Sequence, residues 1–274
     1  MIIAIDTGGT KTLVCAFSDK GKMETIAKFP TPGEPKEYVS AVKECIRSRF
    51  SADDVELIVL ALPGIVKDGV ATWCQNLGWS NFDAQKELGD TLTNVPVLVE
   101  NDANLGGLAE TRALNPVPIS SLYVTVSTGI GSGICTNGMI DPGLRLSEAG
   151  RMIVEYRGKI QQWEQFASGH AIYRTYKKMA RDITSHRTWD NIANRISRGF
   201  LSAIPLIQPD VIIIGGSIGT YFDNYSQQLR LVLERHLPAH IPCPQIVQAQ
   251  HPEQAVIYGC YYYGKDFLAS KKAA

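Results

Sequence analysis

The sequence predicts an α/β fold, and three observations carry that prediction. Stretches of strand and helix character alternate along the chain. A strand, a glycine turn and a second strand open the chain, and the same device recurs about half a chain later. A third glycine turn, Gly215-Gly216-Ser217, follows the buried apolar run Asp210 to Ile214, at the strand end where ligands of open α/β sheets sit.

In the opening, Ile2, Ile3 and Ile5 form a short β-branched run that reads as a buried strand. Asp6 ends it, and Gly8-Gly9 mark a place where the chain turns with φ > 0 or runs close to something else. Thr12 to Phe17 is strand-like again. Neither a GxxxxGK[ST] loop nor a GxGxxG turn opening a helix is present. A glycine hairpin still binds phosphate when its backbone N–H groups form an anion-binding concavity. A carboxylate beside it, Asp6, suits a magnesium ion held mostly through water. An ordinary hairpin with an Asp-Thr-Gly-Gly turn has the same sequence, so the recurrence has to decide.

Lys22 to Phe29 completes an opening meander. Glu34 to Phe50 has helical apolar spacing at Val39, Val42 and Ile46, with Glu34-Pro35 suited to a first turn. Leu57 to Ala61 is a buried strand closed by Pro63-Gly64, and Cys74 to Asn81 reads as irregular. Asp83 to Leu92 is expected to be helical and Val95 to Val99 a strand. Glu100 to Asn104 then sits at the end of that strand, followed by a helix through Leu105, Leu108 and Ala109 to about Ala113. After a linker at Asn115 to Pro118 the opening pattern returns. Leu122 to Val126 is a strand, Ser127 to Gly131 a glycine turn, and Ser132 to Thr136 a second strand. Helices are expected from about Asp223 to His236 and from Pro252 to Leu268; the aromatic residues of the last (Tyr258, Tyr261, Tyr262, Tyr263 and Phe267) read as packing.

Composition bounds the function. At 274 residues the chain can bury a sizeable core in one large or two ordinary domains. Lysine plus arginine equals aspartate plus glutamate at 27 each, which argues against nucleic acid or an anionic membrane held by bulk charge. The six cysteines are scattered without a CxxC pair, the pattern of reduced thiols in a cytoplasmic protein. No signal peptide or membrane-length apolar run is apparent.

At this point the residues carry a resemblance. Asp6-Thr7-Gly8-Gly9-Thr10, Glu100-Asn101-Asp102-Ala103-Asn104, Ser127-Thr128-Gly129-Ile130-Gly131-Ser132-Gly133 and Ile214-Gly215-Gly216-Ser217 resemble, in order and spacing, the ROK (repressor, open reading frame, kinase) family. Leu62-Pro63-Gly64, Asn76-Leu77-Gly78-Trp79 and Phe166-Ala167-Ser168-Gly169 extend the match from Ile2 to the final helix. The resemblance implies a glucokinase-like sugar kinase built from two related actin-like (ribonuclease H-like) α/β domains that enclose a cleft. The expected domains are residues 1–103 with the returning 253–274, and residues 104–252.

The chemistry so implied is transfer of the γ-phosphate of ATP to a hexose or amino-sugar hydroxyl, C6 by expectation. Such a transition state is loose, and catalysis is mainly positioning and charge stabilisation. Asp102 is the expected general base; it also suits the N-cap of the helix that follows, and both roles are compatible. Asn101 offers an amide that donates and accepts, which suits a sugar hydroxyl. By alignment with the family, Glu148 and Glu164 read further hydroxyls, with Gly64 and Asn76 bordering the same pocket. Gly8, Gly9, Thr10, Thr128 and Gly129 are expected closest to the nucleotide phosphates, with Gly215 and Gly216 beneath the adenosine. Lys11 either adds charge there or is a solvated turn lysine. ATP and Mg²⁺ near Asp6 are the implied cofactors, a small-molecule sugar is the expected partner, and the expected state is a homodimer.

One departure from the family matters. Many members carry a structural zinc, held by a histidine and a cysteine loop. Here Arg151 stands in the histidine's place and Arg157 to Gln162 replaces the cysteines. Arginine does not ligate zinc, so no zinc is expected. By the resemblance, losing that histidine also removes a residue that helps read the sugar, which puts the usual glucose preference in doubt; Arg151 is expected to donate to a sugar hydroxyl or an acidic substituent instead. A related group that uses polyphosphate also lacks the cysteine loop, so a polyphosphate-dependent glucose or mannose kinase is one alternative. A non-catalytic, sugar-sensing ROK protein is another, although family repressors carry a helix-turn-helix ahead of the first strand, which here starts at Ile2. An actin-like dehydratase activator would need a cysteine-held iron–sulfur cluster.

Overall fold

A computed structural model describes residues 1–251 and 254–273. The chain divides into two compact units, Met1–Ala109 with the C-terminal segment from Gln254, and Glu110–Glu253.

The first unit opens with β1 (Ile2–Thr7), β2 (Lys11–Phe17) and β3 (Met23–Pro30), an antiparallel meander, followed by α1 (Pro35–Arg47) and β4 (Leu57–Leu62). Three short strands come next, β5 (Ile65–Lys67), β6 (Val70–Cys74) and β7 (Trp79–Asp83), then α2 (Ala84–Leu88), β8 (Val97–Asn101) and α3 (Asp102–Ala113). Among the described residues the main sheet has the order β3-β2-β1-β4-β8, with β1, β4 and β8 parallel. Every residue of β4 is buried, because a central parallel strand is covered on both faces and therefore reads as an unbroken apolar run. Pro35 occupies the first turn of α1, whose buried stripe of Tyr38, Val39, Val42, Cys45 and Ile46 has helical spacing.

The second unit repeats this plan with β9 (Ser120–Val126), β10 (Ile130–Thr136) and β11 (Met139–Ile140). An arm follows: the hairpin β12 (Ile153–Tyr156) and β13 (Lys159–Gln162), then α4 (Glu164–Ala167) and α5 (Gly169–Tyr176). Next come the long α6 (His186–Ile207), β14 (Val211–Gly215), α7 (Gly216–Gly219), α8 (Ser226–His236) and β15 (Gln245–Gln248). The sheet order, β11-β10-β9-β14-β15 with β9, β14 and β15 parallel, is that of the first unit strand for strand. The recurrence noted in the sequence is thus a recurrence of sheet connectivity. The final helix, α9 (Ala255–Ala273), packs on β1 and β4 of the first unit. Two of its aromatic residues, Tyr258 and Tyr261, lie against Phe17 at ring-centroid distances of 5.8 and 4.7 Å.

Several sequence assignments need correction. The stretch from Cys74 to Asn81 is not wholly irregular: β6 and β7 pair across it in a small sheet with β5. Their shortness and the left-handed residues Asp68, Gly69, Gly78 and Asn81 hide the alternation. The helix expected to reach Leu92 stops at Gly89, and the next strand begins only after Pro96. Helix α8 begins at Ser226, after a 3₁₀ turn over Phe222–Asn224. Pro252, the expected start of the last helix, lies outside the described residues. Helix α6 is not among the elements expected from the sequence, although Trp189, Ile192, Ala193, Ile196, Phe200 and Ala203 are buried at helical spacing; Gly199 and Pro205 interrupt the pattern as breakers.

All six cysteines are free thiols, five of them buried and Cys243 half-buried. Among the described residues no helix is long and apolar enough to cross a membrane.

Candidate functional site

In the first unit the functional candidates collect at the C-terminal ends of the parallel strands. Ala61 of β4 stands in register with Asp6 on one side and Glu100 on the other, and Leu62 pairs with Asn101. Asp6 is half-buried at the end of β1. Burial pushes its carboxyl up to about 6, against a smaller pull downward from the Lys11 ammonium. The glycine turn that follows is closed by Gly8 N–H donating to Lys11 O at 2.9 Å, and Thr31 Oγ1 donates to Gly8 O at 2.8 Å. Thr10 and Lys11 are exposed. Of the two reasons the sequence allowed for Gly9, close approach is the operative one. A Cβ there would lie 3.0 Å from the Asn76 carbonyl oxygen, so Asn76 and the turn pack directly together.

Asn101 and Asp102 divide between them the roles the sequence assigned to one residue. The Asn101 side-chain oxygen accepts from Asn104 N–H at 2.9 Å, the geometry of an N-cap for α3. Its amide nitrogen donates to Gly64 O at 2.7 Å. Asp102 is therefore the first residue of α3 and not its cap; its Oδ1 accepts from Ala103 N–H at 2.8 Å. Placing a carboxylate in the first turn is favourable next to the unsatisfied N–H groups there. The buried Glu100 was not among the residues singled out for the site. Its Oε1 accepts from both Asn101 N–H (2.8 Å) and Asn104 Nδ2 (3.0 Å).

In the second unit four stretches meet. The turn after β9 is closed by Ser127 N–H donating to Gly129 O at 2.9 Å, and Thr128 is exposed. Gly169 N–H donates to Ser127 O at 2.7 Å, while Ser168 caps α5 by accepting from Ala171 N–H at 3.2 Å. Gly215 ends β14 and Gly216 follows at φ +77°, a conformation open to glycine; a Cβ there would sit 2.7 Å from Thr125 Oγ1 and Val126 O. Gly150 packs against the Ile130 carbonyl, which brings Glu148 and Arg151 beside the same turn.

The acidic residues of this group are not equivalent. Glu164 Oε1 takes an ion pair from Arg151 Nη1 at 2.8 Å, and its Oε2 accepts from Ile130 N–H at 3.3 Å. Arg151 Nη1 also donates to Gln162 Oε1 at 3.1 Å. The guanidinium thus serves Glu164 and the hairpin, a use the sequence reading, which pointed it at substrate, did not foresee. Glu148 is half-buried, and burial raises its carboxyl above the ordinary range, with Arg151 lowering and Glu164 raising it in turn.

The segment that replaces the family's cysteine loop is an antiparallel hairpin, turned by Arg157 (φ 53°) and Gly158 (φ 75°). Its side chains and Arg151 offer no thiolate or imidazole, so they do not fit a zinc ion. What anchors the arm is apolar and cationic. Tyr156 stacks on Phe166 with ring centroids 4.4 Å apart, and the buried Arg195 donates to Phe166 O at 2.7 Å with its guanidinium over the Tyr156 and Tyr176 rings. Among the described residues no group of three or more His, Cys, Asp or Glu side chains is placed to hold a metal. A lone carboxylate such as Asp6 does fit magnesium, which keeps its waters and binds through substrate phosphates.

Two five-stranded sheets of one connectivity, each with a glycine turn between its first two strands, define the actin-like class of α/β proteins. Within that class the chain belongs to the ROK family, whose model matches residues 2–266. Among curated relatives, an N-acetylmannosamine kinase of Shigella flexneri is 31% identical over 170 residues, 58% of this chain and 56% of that protein; the chain thus matches little more than half of that relative's length. A kanosamine kinase of Amycolatopsis mediterranei is 30% identical over 247 residues, 78% of this chain and 79% of that protein. Among solved structures, an inorganic polyphosphate/ATP-glucomannokinase of an Arthrobacter species superposes with a TM-score of 0.71 at 27% identity, covering 96% of this chain and 97% of that one.

Proposed function

We propose that this chain is a sugar kinase that transfers the γ-phosphate of ATP to a hydroxyl, the one on C6, of a hexose or amino sugar. The observation that carries the reading is the division of labour at the end of β8. Because Asn101 caps α3, the carboxylate of Asp102 need not, and it stands at the C-terminal edge of the parallel strands. Asp102 takes the hydroxyl proton as the sugar oxygen attacks the γ-phosphorus; the new O–P bond forms as the bond to the ADP oxygen breaks. Gly8, Gly9, Thr10, Lys11, Thr128 and Gly129 serve the phosphates, and Gly215 and Gly216 the adenosine. A magnesium ion near Asp6 would neutralise charge on the phosphates. Gly64, Asn76, Asn101, Glu148 and Glu164 serve the sugar, with Arg151 holding Glu164. Domains of residues 1–103 with 253–274 and 104–252, and a homodimer in the cytoplasm, complete the reading; light scattering after gel filtration reads the oligomeric state.

Two findings shape the choice of substrate. Both curated relatives above are named for amino-sugar substrates, which supports including amino sugars. The glucomannokinase is named for polyphosphate as well as ATP, which supports testing both donors. The experiment is a coupled assay of hexoses, 2-amino, 3-amino and N-acetylated hexoses against ATP and polyphosphate. Transfer to at least one sugar is expected. Sugar binding without transfer from either donor would refute the kinase reading in favour of a sensor.

A further inference from the structure

The structure assigns to Glu100 a function that the general-base reading leaves open: it is the positioning residue that aims Asp102. This inference rests on the proposed kinase activity. Glu100 is 1% exposed, and a polar group so placed loses its hydration, a loss that bonds within the protein have to compensate. A leucine or valine, as elsewhere in the buried strands, would serve the sheet without that loss. What the carboxylate provides is a single acceptor atom that ties two points of the chain together. Its Oε1 holds the backbone N–H of Asn101 at 2.8 Å and the side-chain amide of Asn104 at 3.0 Å, one on each side of Asp102.

The remaining bonds close the frame. Asn104 N–H is held by Asn101 Oδ1, and Asn101 Nδ2 is held by Gly64 O at 2.7 Å. Residue 102 therefore sits on a turn whose flanking residues are both tied to one buried side chain. One oxygen that accepts from both residues keeps their spacing fixed, which suits a part whose task is to prevent drift. Drift matters here, because a misplacement of about 1 Å in a reacting group reduces turnover by roughly 10²-fold. Glu100 does not touch the reacting atoms; it acts through Asn101, Asn104 and the start of α3.

The test uses the full-length protein with the best sugar and donor from the screen. Glu100→Ala is expected to lower kcat by about 10²-fold while the sugar dissociation constant, measured by calorimetry, stays within about threefold. Glu100→Gln, whose amide oxygen can still accept both bonds, is expected to recover most of that kcat. Asn104→Ala, which removes the second tie and leaves the bond to Asn101 N–H, should fall between the two, and it serves if Glu100→Ala does not fold. A double-mutant cycle should find Glu100→Ala and Asn104→Ala non-additive in kcat, and Glu100→Gln and Asn104→Ala additive. A folded Glu100→Ala (or, in its absence, Asn104→Ala) with kcat within threefold of the parent overturns the assignment. So does a loss of kcat matched by an equal loss of sugar affinity, the mark of a general structural defect. If the parent protein transfers phosphate to no sugar, it is the kinase reading that fails, and the two failures are told apart.

Discussion

Replacing Asn101 tests how the end of β8 is built. Asn101 is 8% exposed and uses both ends of its amide, one for Asn104 N–H and one for Gly64 O. Asn101→Ala removes a helix cap, a loss of about 1 kcal/mol. It also leaves the Gly64 carbonyl without this partner, a further loss of about 1–2 kcal/mol. The expected destabilisation is thus about 2–3 kcal/mol. Asn101→Ser keeps a capping oxygen but loses the donor to Gly64 O, so it should be destabilised by only about 1–2 kcal/mol. Urea unfolding followed by tryptophan fluorescence measures both, since Trp79 of this unit lies 5.0 Å from the Tyr38 ring and 5.3 Å from that of Phe82. Amide hydrogen exchange at Asn104 isolates the cap: protection should fall in Asn101→Ala and persist in Asn101→Ser. Equal destabilisation of the two variants, or unchanged protection at Asn104 in the alanine variant, would refute the assignment of the cap to Asn101.

Other perturbations bear on the proposed chemistry. Asp102→Asn should lower kcat by roughly 10²–10⁴-fold and leave sugar affinity within a few-fold; parallel loss of both would contradict its role as base. Gly169→Ala would place a Cβ 2.6 Å from Ser127 O, so the turn must shift, and the KM for ATP should rise well above that for sugar, whereas Gly33→Ala, with open space around it, should change neither. Glu148 is raised by burial, so its protonated form is favoured in the folded state. Its contribution to stability is present at pH below the unfolded value and is lost as pH rises through the folded one. Sugar affinity, which needs the ionised acceptor, should run the other way and fail on acidification sooner than for an ordinary glutamate; Glu148→Gln should flatten both profiles, as calorimetry and urea titrations between pH 4 and 7 would register. EDTA should abolish turnover, and added magnesium restore it, with no change in melting temperature; melting that tracks a thiol- or imidazole-binding metal would contradict the reading of the arm.

The strand ends and turns that carry the candidate site were legible because their signals are local. A strand followed by Asp-Thr-Gly-Gly, or by Glu-Asn-Asp-Ala-Asn, places its polar residues at a strand end whatever the rest of the chain does. What could not be read were the pairings. Arg151 was free, in sequence, to point at substrate; only the fold shows it beside Glu164, thirteen positions on. Glu100 looked like the polar end of a strand, and its burial beneath the Asn101–Asn104 turn depends on the strands that flank it.

The sequence by itself determined the alternation of elements, the buried central strands and the position of each glycine turn. Apolar period and backbone permissiveness are properties of a few neighbouring residues, and they survive in any context. The tertiary structure alone decided that Arg151 pairs with Glu164, that Gly9 is narrow because Asn76 lies on it, and that an arginine–aromatic brace holds the arm. Each of those is set by distance between residues far apart in the chain, and a hydrogen bond forms only where the fold brings donor and acceptor within about 3 Å.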